Sequence, residues 1–231
     1  MKFDVFKHLF ISKAALLKAI YETLYNTYGP QSWWPADTPF EVMLGAILTQ
    51  NTSWSNVEKA MAGLKEVCEL TPEDILSLPL DRLEEAIRPS GYFRQKTKRL
   101  IIFCEFYLEK YGGELNQMKL AHIEELRKQF LDLHGVGPET ADSILLYALQ
   151  KPAFVVDAYT TRLFSRLGLC EENVKYDYLR SLFIINLEHE QGMFNEYHAL
   201  IVRHCKQRCS KRSPNCTDCP LVGICEWEFK I

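Results

Sequence analysis

"LDLHGVGPETADSILLYAL", Leu131–Leu149, reads as helix, turn, helix. Apolar residues recur at helical spacing on both sides of Gly135-Val136-Gly137. Pro138 stands at the first position of the second helix, where its missing N–H is no loss. The glycines permit positive φ and a close approach of the backbone to a ligand. The free N–H groups that open the second helix suit a phosphate oxygen. Taken alone, the stretch also fits an ordinary corner between two helices. Glu139 is the unexpected residue, because it sets a carboxylate at the mouth of a candidate anion site.

Outward from this turn the pattern stays helical. "AHIEELRKQFLDL" leads into it. Upstream, "TPFEVMLGAILTQ" opens with a predicted capping box, Thr38 at the N-cap, Pro39 at N1 and Glu41 at N3. "SNVEKAMAGLKEVC" suggests the same device with Ser55 and Glu58, and "TPEDILSL" a short helix with Pro72 at N1. "SKAALLKAIYETLYNTYGP" ends at Gly29-Pro30, and "YFRQKTKRLIIFCEFYLEKYGG" ends at two glycines. Downstream, helices are predicted over 158–169, 175–188 and 193–205. No period-two alternation appears, so the predicted fold class is all-α.

The 231 residues suffice for one large domain or two modest ones, and 47% hydrophobic with 25% charged is an ordinary globular balance. A net charge of −3 argues against nucleic-acid binding by bulk charge. Two local basic clusters read either as solvated faces or as phosphate contacts: Arg88, Arg94, Lys96, Lys98 and Arg99, then Arg203, Lys206, Arg208, Lys211 and Arg212. No apolar run approaches 18 residues, and the N-terminal stretch, broken by Asp4, Lys7 and Lys13, is no signal peptide. A cytoplasmic protein is expected, with no membrane partner. Its eight cysteines are then thiols or metal ligands rather than disulfides.

Two further features bear on the hairpin. "VVDAYTTRLFSRLGL" places Asp157 at the head of a helix, and "CSKRSPNCTDCPLVGIC" has the spacing C-x6-C-x2-C-x5-C. With them the chain resembles the endonuclease III superfamily of helix–hairpin–helix DNA glycosylases, from about Thr38 to Cys225. "SWWPADTPFEVMLGAILTQNTSW" and "RPSGYFRQKTKRL" are most similar to its methylpurine (3-methyladenine) branch, some members of which lack the cysteines. The resemblance implies a helical barrel domain over 31–151, with the hairpin at about 124–150. It implies a second helical domain from 1–30 plus 152–231, carrying an iron–sulfur loop at 205–225.

The resemblance also implies roles. Asp157 matches the catalytic aspartate, and a fixed carboxylate in a dry site suits the oxocarbenium charge that builds as an N-glycosidic bond breaks. The same position suits a plain helix N-cap. Bifunctional relatives carry a lysine just before the Thr-Ala of the hairpin, where this chain reads Glu139-Thr140. A carboxylate cannot form the Schiff base of a lyase, so a monofunctional, water-using enzyme is expected. Gly135, Val136, Gly137, Glu139 and Thr140 are the candidate DNA-backbone contacts. Gln50 matches the residue that fills the gap left by a flipped nucleotide, and Tyr92 lies where relatives carry a wedge, although a core aromatic would read the same. Trp33, Trp34, Pro35 and Trp54 are the candidate base pocket, or else packing residues.

Cys209, Cys216, Cys219 and Cys225 match a [4Fe–4S] loop; four thiolates also suit zinc, but zinc ribbons usually show two C-x2-C knuckles and here there is one. The cluster would fold a basic loop carrying Lys206, Arg208, Lys211 and Arg212 against phosphates. Cys205 reads as a bystander, Cys68, Cys104 and Cys170 as packing residues, and no histidine acquires a role. The expected partner is double-stranded DNA containing alkylated bases, met by a monomer at the nucleoid. The rival readings are a glycosylase for oxidised or mismatched bases, a non-catalytic DNA-structure binder and an iron–sulfur electron carrier.

Overall fold

A computed structural model describes residues 12–227, so residues 1–11, part of the stretch read as lacking a signal peptide, and 228–231 lie outside it. The described residues are helical, with no strand among them. The helices are α1 Lys13–Tyr28, α2 Pro39–Leu48, α3 Trp54–Val67, α4 Pro72–Ser77, α5 Leu80–Ile87, α6 Phe93–Tyr111, α7 Leu115–Leu120, α8 Ile123–Asp132, α9 Pro138–Ser143, α10 Ala158–Arg166, α11 Tyr176–Asn186 and α12 Gln191–Gln207. They form two compact units, Trp34–Lys151 in one and, in the other, the described residues up to Trp33 with those from Pro152 onward. No helix among the described residues is long and apolar enough to cross a membrane.

The Trp34–Lys151 unit is built around α2, whose residues Phe40 to Leu48 are all buried. A helix apolar on every side has to be a central one. The predicted cap of α2 forms, with Thr38 Oγ1 accepting from the Glu41 N–H at 3.1 Å. Glu41 reaches back one residue further than a standard capping box, to the Asp37 N–H at 2.8 Å. The second predicted capping box does not form. Helix α3 starts two residues earlier than expected, its N-cap is Ser53, and the Ser53 hydroxyl faces that of Ser55 at 3.1 Å. The helix after Pro138 is also not a single α-helix: after Ser143 it widens into a π-turn over Ile144–Ala148, with the Leu149 N–H bonded to the Ile144 carbonyl at 3.0 Å.

The other unit packs α1, α10, α11 and α12 around aromatic rings. Phe154 stacks on Phe183 with centroids 3.6 Å apart, and Tyr197 meets both edge-on. The fully buried Tyr197 hydroxyl is satisfied by the Leu17 carbonyl at 2.9 Å, as a buried phenol requires.

Candidate active site

Helices α8 and α9 flank the turn Leu133–Gly137. Arg127 on α8 holds Asp142 on α9 through two hydrogen bonds, at 2.9 and 3.2 Å, with the Asp142 side chain fully buried. This buried, two-pronged pair sets the spacing of the two helices. Val136 is buried beneath the turn and Glu139 is exposed at its mouth. Gly135 has φ +86°, and a Cβ there would run into the Arg99 side chain. Gly135→Ala therefore combines left-handed strain with a displaced Arg99. A loss of about 1–3 kcal/mol of stability is expected from the backbone alone, together with weaker duplex binding. Unchanged melting and binding would show that the close approach is not a constraint.

Gln50, just past the end of α2, is fixed on three sides. Its Nε2 donates to the Gly135 carbonyl at 3.0 Å and to the Thr140 hydroxyl at 2.9 Å, and Arg99 donates to its Oε1. The gap-filling candidate is thus tied directly to the hairpin. Tyr92 stands 65% exposed, with φ 46°, between Gly91 and the start of α6. That exposure rules out a core aromatic.

The tryptophans divide. Trp34 and Trp54 are half-buried and meet edge to face, centroids 5.0 Å apart at 84°. Tyr147, which the sequence did not single out, joins them at 5.3 Å from Trp34, presented by the π-turn. Gly45 lies beneath, where a Cβ would sit 3.2 Å from the Trp34 ring. Pro35 is exposed, and Trp33, half-buried, falls in the other unit.

Asp157 is the N-cap of α10. Its Oδ1 accepts from the Thr160 N–H at 2.7 Å and the Thr160 hydroxyl at 2.9 Å. Its Oδ2 lies 3.5 Å from Nε2 of His198, a buried residue on α12. Burial pushes the carboxyl pKa up, but the His198 imidazole and the two Thr160 donors outweigh it, so the net shift is downward from 3.8. His198 went unassigned in the sequence because its meeting with Asp157 is tertiary.

The four cysteines of the C-terminal loop line one cavity with Leu163, His204, Leu221 and Trp227. Arg166 on α10 donates to Cys209 Sγ at 3.0 Å and to the Ser210 and Lys211 carbonyls at 2.9 and 3.2 Å. Cys205 is buried and donates to the Tyr159 carbonyl at 3.5 Å. Lys206, Lys211 and Arg212 are exposed around this loop. Of the three cysteines read as packing residues, Cys104 is fully buried, its thiol raised by burial to about 12, whereas Cys68 and Cys170 are only half-buried, the Cys170 thiol raised by burial to about 11. Among the described residues no three His, Cys, Asp or Glu side chains converge as a single-ion site.

Residues 44–184 match the HhH-GPD superfamily of base excision DNA repair proteins. A Methanocaldococcus jannaschii protein, MJ1434, whose assignment as a DNA repair glycosylase is itself inferred, is 47% identical over 93% of this chain and 97% of its own. Endonuclease III of Thermotoga maritima is 32% identical over 82% of this chain and 83% of its own. Among solved structures, the 3-methyladenine DNA glycosylase of Helicobacter pylori bound to 1,N6-ethenoadenine superposes with TM-score 0.73 at 30% identity, covering 85% of this chain and 98% of that one. An endonuclease III–DNA complex superposes with TM-score 0.81 at 24% identity, over 95% and 98%, and so shares the fold. The family match over residues 44–184 and a relative matched over nearly its whole length agree, and the chain belongs to the HhH-GPD superfamily of base excision DNA repair proteins.

Proposed function

We propose that the chain is a monofunctional DNA glycosylase that hydrolyses the N-glycosidic bond of alkylated purines, such as 3-methyladenine, in double-stranded DNA. The observation that carries this reading is a pair of carboxylates in contrasting settings. Asp157 is enclosed, and the His198 imidazole and the Thr160 donors outweigh burial and favour its anion. Glu139 stands exposed at the hairpin mouth, with no amine to offer a sugar carbon. An enclosed anion stabilises the oxocarbenium charge and orients the attacking water, and Thr160 and His198 keep it in place. The Trp34–Trp54–Tyr147 group supplies aromatic faces suited to a cationic base. The H. pylori relative, bound to an ethenoadenine, supports the alkylpurine choice.

Mass analysis of the bases released from methylated duplex DNA tests the reading. Free 3-methyladenine is expected, with no strand nick until alkali is added. The endonuclease III relative at 32% identity keeps a second reading in play, excision of oxidised or mismatched bases, and release of those bases alone would favour it. Borohydride should trap no protein–DNA adduct, since position 139 carries a carboxylate; a trapped adduct would show that another amine attacks the sugar.

Cys209, Cys216, Cys219 and Cys225 fit a [4Fe–4S] cluster: four thiols border one cavity, and the Arg166 guanidinium favours thiolate at Cys209. Bound there, the cluster would serve as a structural tie for the loop bearing Lys206, Arg208, Lys211 and Arg212. Purified protein is expected to be brown and to hold about four iron atoms per chain. Stoichiometric zinc without iron would overturn this assignment. A monomer acting at the nucleoid is the accompanying expectation.

A further inference from the structure

Lys96 is fully buried, in the middle of a cluster whose neighbours Arg94 and Lys98 are exposed. Among the described residues its ammonium has two hydrogen-bond partners, both backbone carbonyls: Leu48 at 2.8 Å and Ser90 at 2.7 Å. Among the described residues no carboxylate stands within ion-pair distance of it. A buried charge without a counter-ion is costly, and a leucine or methionine would fill the space without that cost. What the ammonium gains is specific. Leu48 is the last residue of α2, so its carbonyl lies at the negative end of that helix, and Ser90 closes the short turn Arg88–Ser90. Burial and then Arg99 bring the Lys96 pKa down to about 8, which leaves the amine mostly protonated at neutral pH.

The two carbonyls are placed alike. Leu48 lies two residues before Gln50, and Ser90 two residues before Tyr92. Just beyond each, the chain reverses through a left-handed residue, Asn51 at φ 52° and Tyr92 itself at φ 46°. One turn further along α6, Arg99 donates to Gln50. A single helix thus grips both segments, through a lysine on their backbones and an arginine on the gap-filling side chain.

We propose that Lys96 is a positioning residue that holds Gln50 and Tyr92 at a fixed spacing, so that the two probe the duplex as one unit. The proposal rests on the reading of Gln50 and Tyr92 as the residues that enter DNA. It does not depend on which lesion is excised, and the test can separate the two.

The probe is a duplex with an abasic-site analogue opposite 2-aminopurine, whose fluorescence rises when that base is unstacked. Tyr92→Ala and Gln50→Ala should each lose most of the fluorescence gain. Lys96→Met should lose about tenfold in the gain and in single-turnover base release, the scale of a misplaced contact. Its melting should stay cooperative, and its affinity for undamaged duplex should stay within about twofold of wild type. Tyr92→Ala added to Lys96→Met should cost less than about twofold more, because the unit is already uncoupled. A lysine that merely filled the core would lower the melting temperature and leave the two losses additive. If Lys96→Met does not fold, Lys96→Gln, which keeps an amide donor for one carbonyl, takes its place in the same cycle. Additive losses, or a full signal from the folded Lys96 variant, would overturn the clamp and leave the probing residues standing. Full signals from Tyr92→Ala and Gln50→Ala would overturn the reading of those residues and the clamp with it.

Discussion

Asp157→Asn should release base about 10²–10³-fold more slowly than the wild type, the loss typical when a group aimed at transition-state charge is removed. Duplex binding and fold should survive. Asparagine is as good an N-cap as aspartate, so its amide oxygen can still take the Thr160 N–H that Asp157 holds at 2.7 Å. Because His198 and Thr160 favour the anion more than burial opposes it, its removal should lower melting modestly at neutral pH while the fold remains cooperative. Only the anion is lost, and with it the partner of His198 at 3.5 Å and the charge that would face the oxocarbenium. Asp157→Ala separates the two duties of the residue. It should lose the same activity and, in addition, about 1 kcal/mol of stability with the cap. Single-turnover base release measured beside thermal melting distinguishes them. Base release at the wild-type rate by Asp157→Asn would leave the residue a cap and no more.

The N-cap duty of Asp157 was legible in the sequence because capping is local: the donors it satisfies lie within four residues. The same holds for Thr38 and Thr71, whose hydroxyls cap α2 and α4 at 3.1 Å each, and for the turn at Gly112 that stops α6. Where local signals competed, the reading slipped. Ser53 and Ser55 are both plausible caps, and the choice fell to Ser53, which makes no side-chain cap bond at all. Helices α5 and α7 passed unread because they are short, at 8 and 6 residues, and take their order from packing on longer helices. The site itself was legible only where one segment carries it. The hairpin, the headed helix and the cysteine spacing are each continuous in the chain. The pairing of Asp157 with His198 spans 41 residues, and the π-turn that brings Tyr147 to Trp34 leaves no mark in the periodicity. Lys96 is the sharpest case. In a cluster of five cations it reads as solvated or as a phosphate contact, and only the converging carbonyls of Leu48 and Ser90 explain why it is buried.

Trp54→Ala and Trp34→Ala should each reduce release of cationic methylpurines by about 2- to 30-fold, the range of a cation–π contact from exposed to desolvated. A 3-methylated adenine in DNA is positively charged, and its bond to the sugar is already weakened, so it needs little acid catalysis to leave. Selection can then rest on stacking against an electron-rich face. The arrangement of Trp34 and Trp54, edge to face at 84° and both half-buried, is what such a face requires: one ring braces the other without covering it. The two variants should differ in stability. Trp34 also contacts Tyr147 and rests over Gly45, so its loss should lower melting more than the loss of Trp54. Trp54→Phe keeps a π-face of weaker quadrupole and should recover part of the rate. The charge on the base has a sharper consequence. On the neutral 1,N6-ethenoadenine, Trp54→Ala should lose less than on 3-methyladenine, because only the dispersion part of the stack is removed. Equal losses on both bases would mean that the rings select shape rather than charge. Unchanged rates on alkylated DNA, with circular dichroism also unchanged, would remove the aromatic group from the pocket altogether.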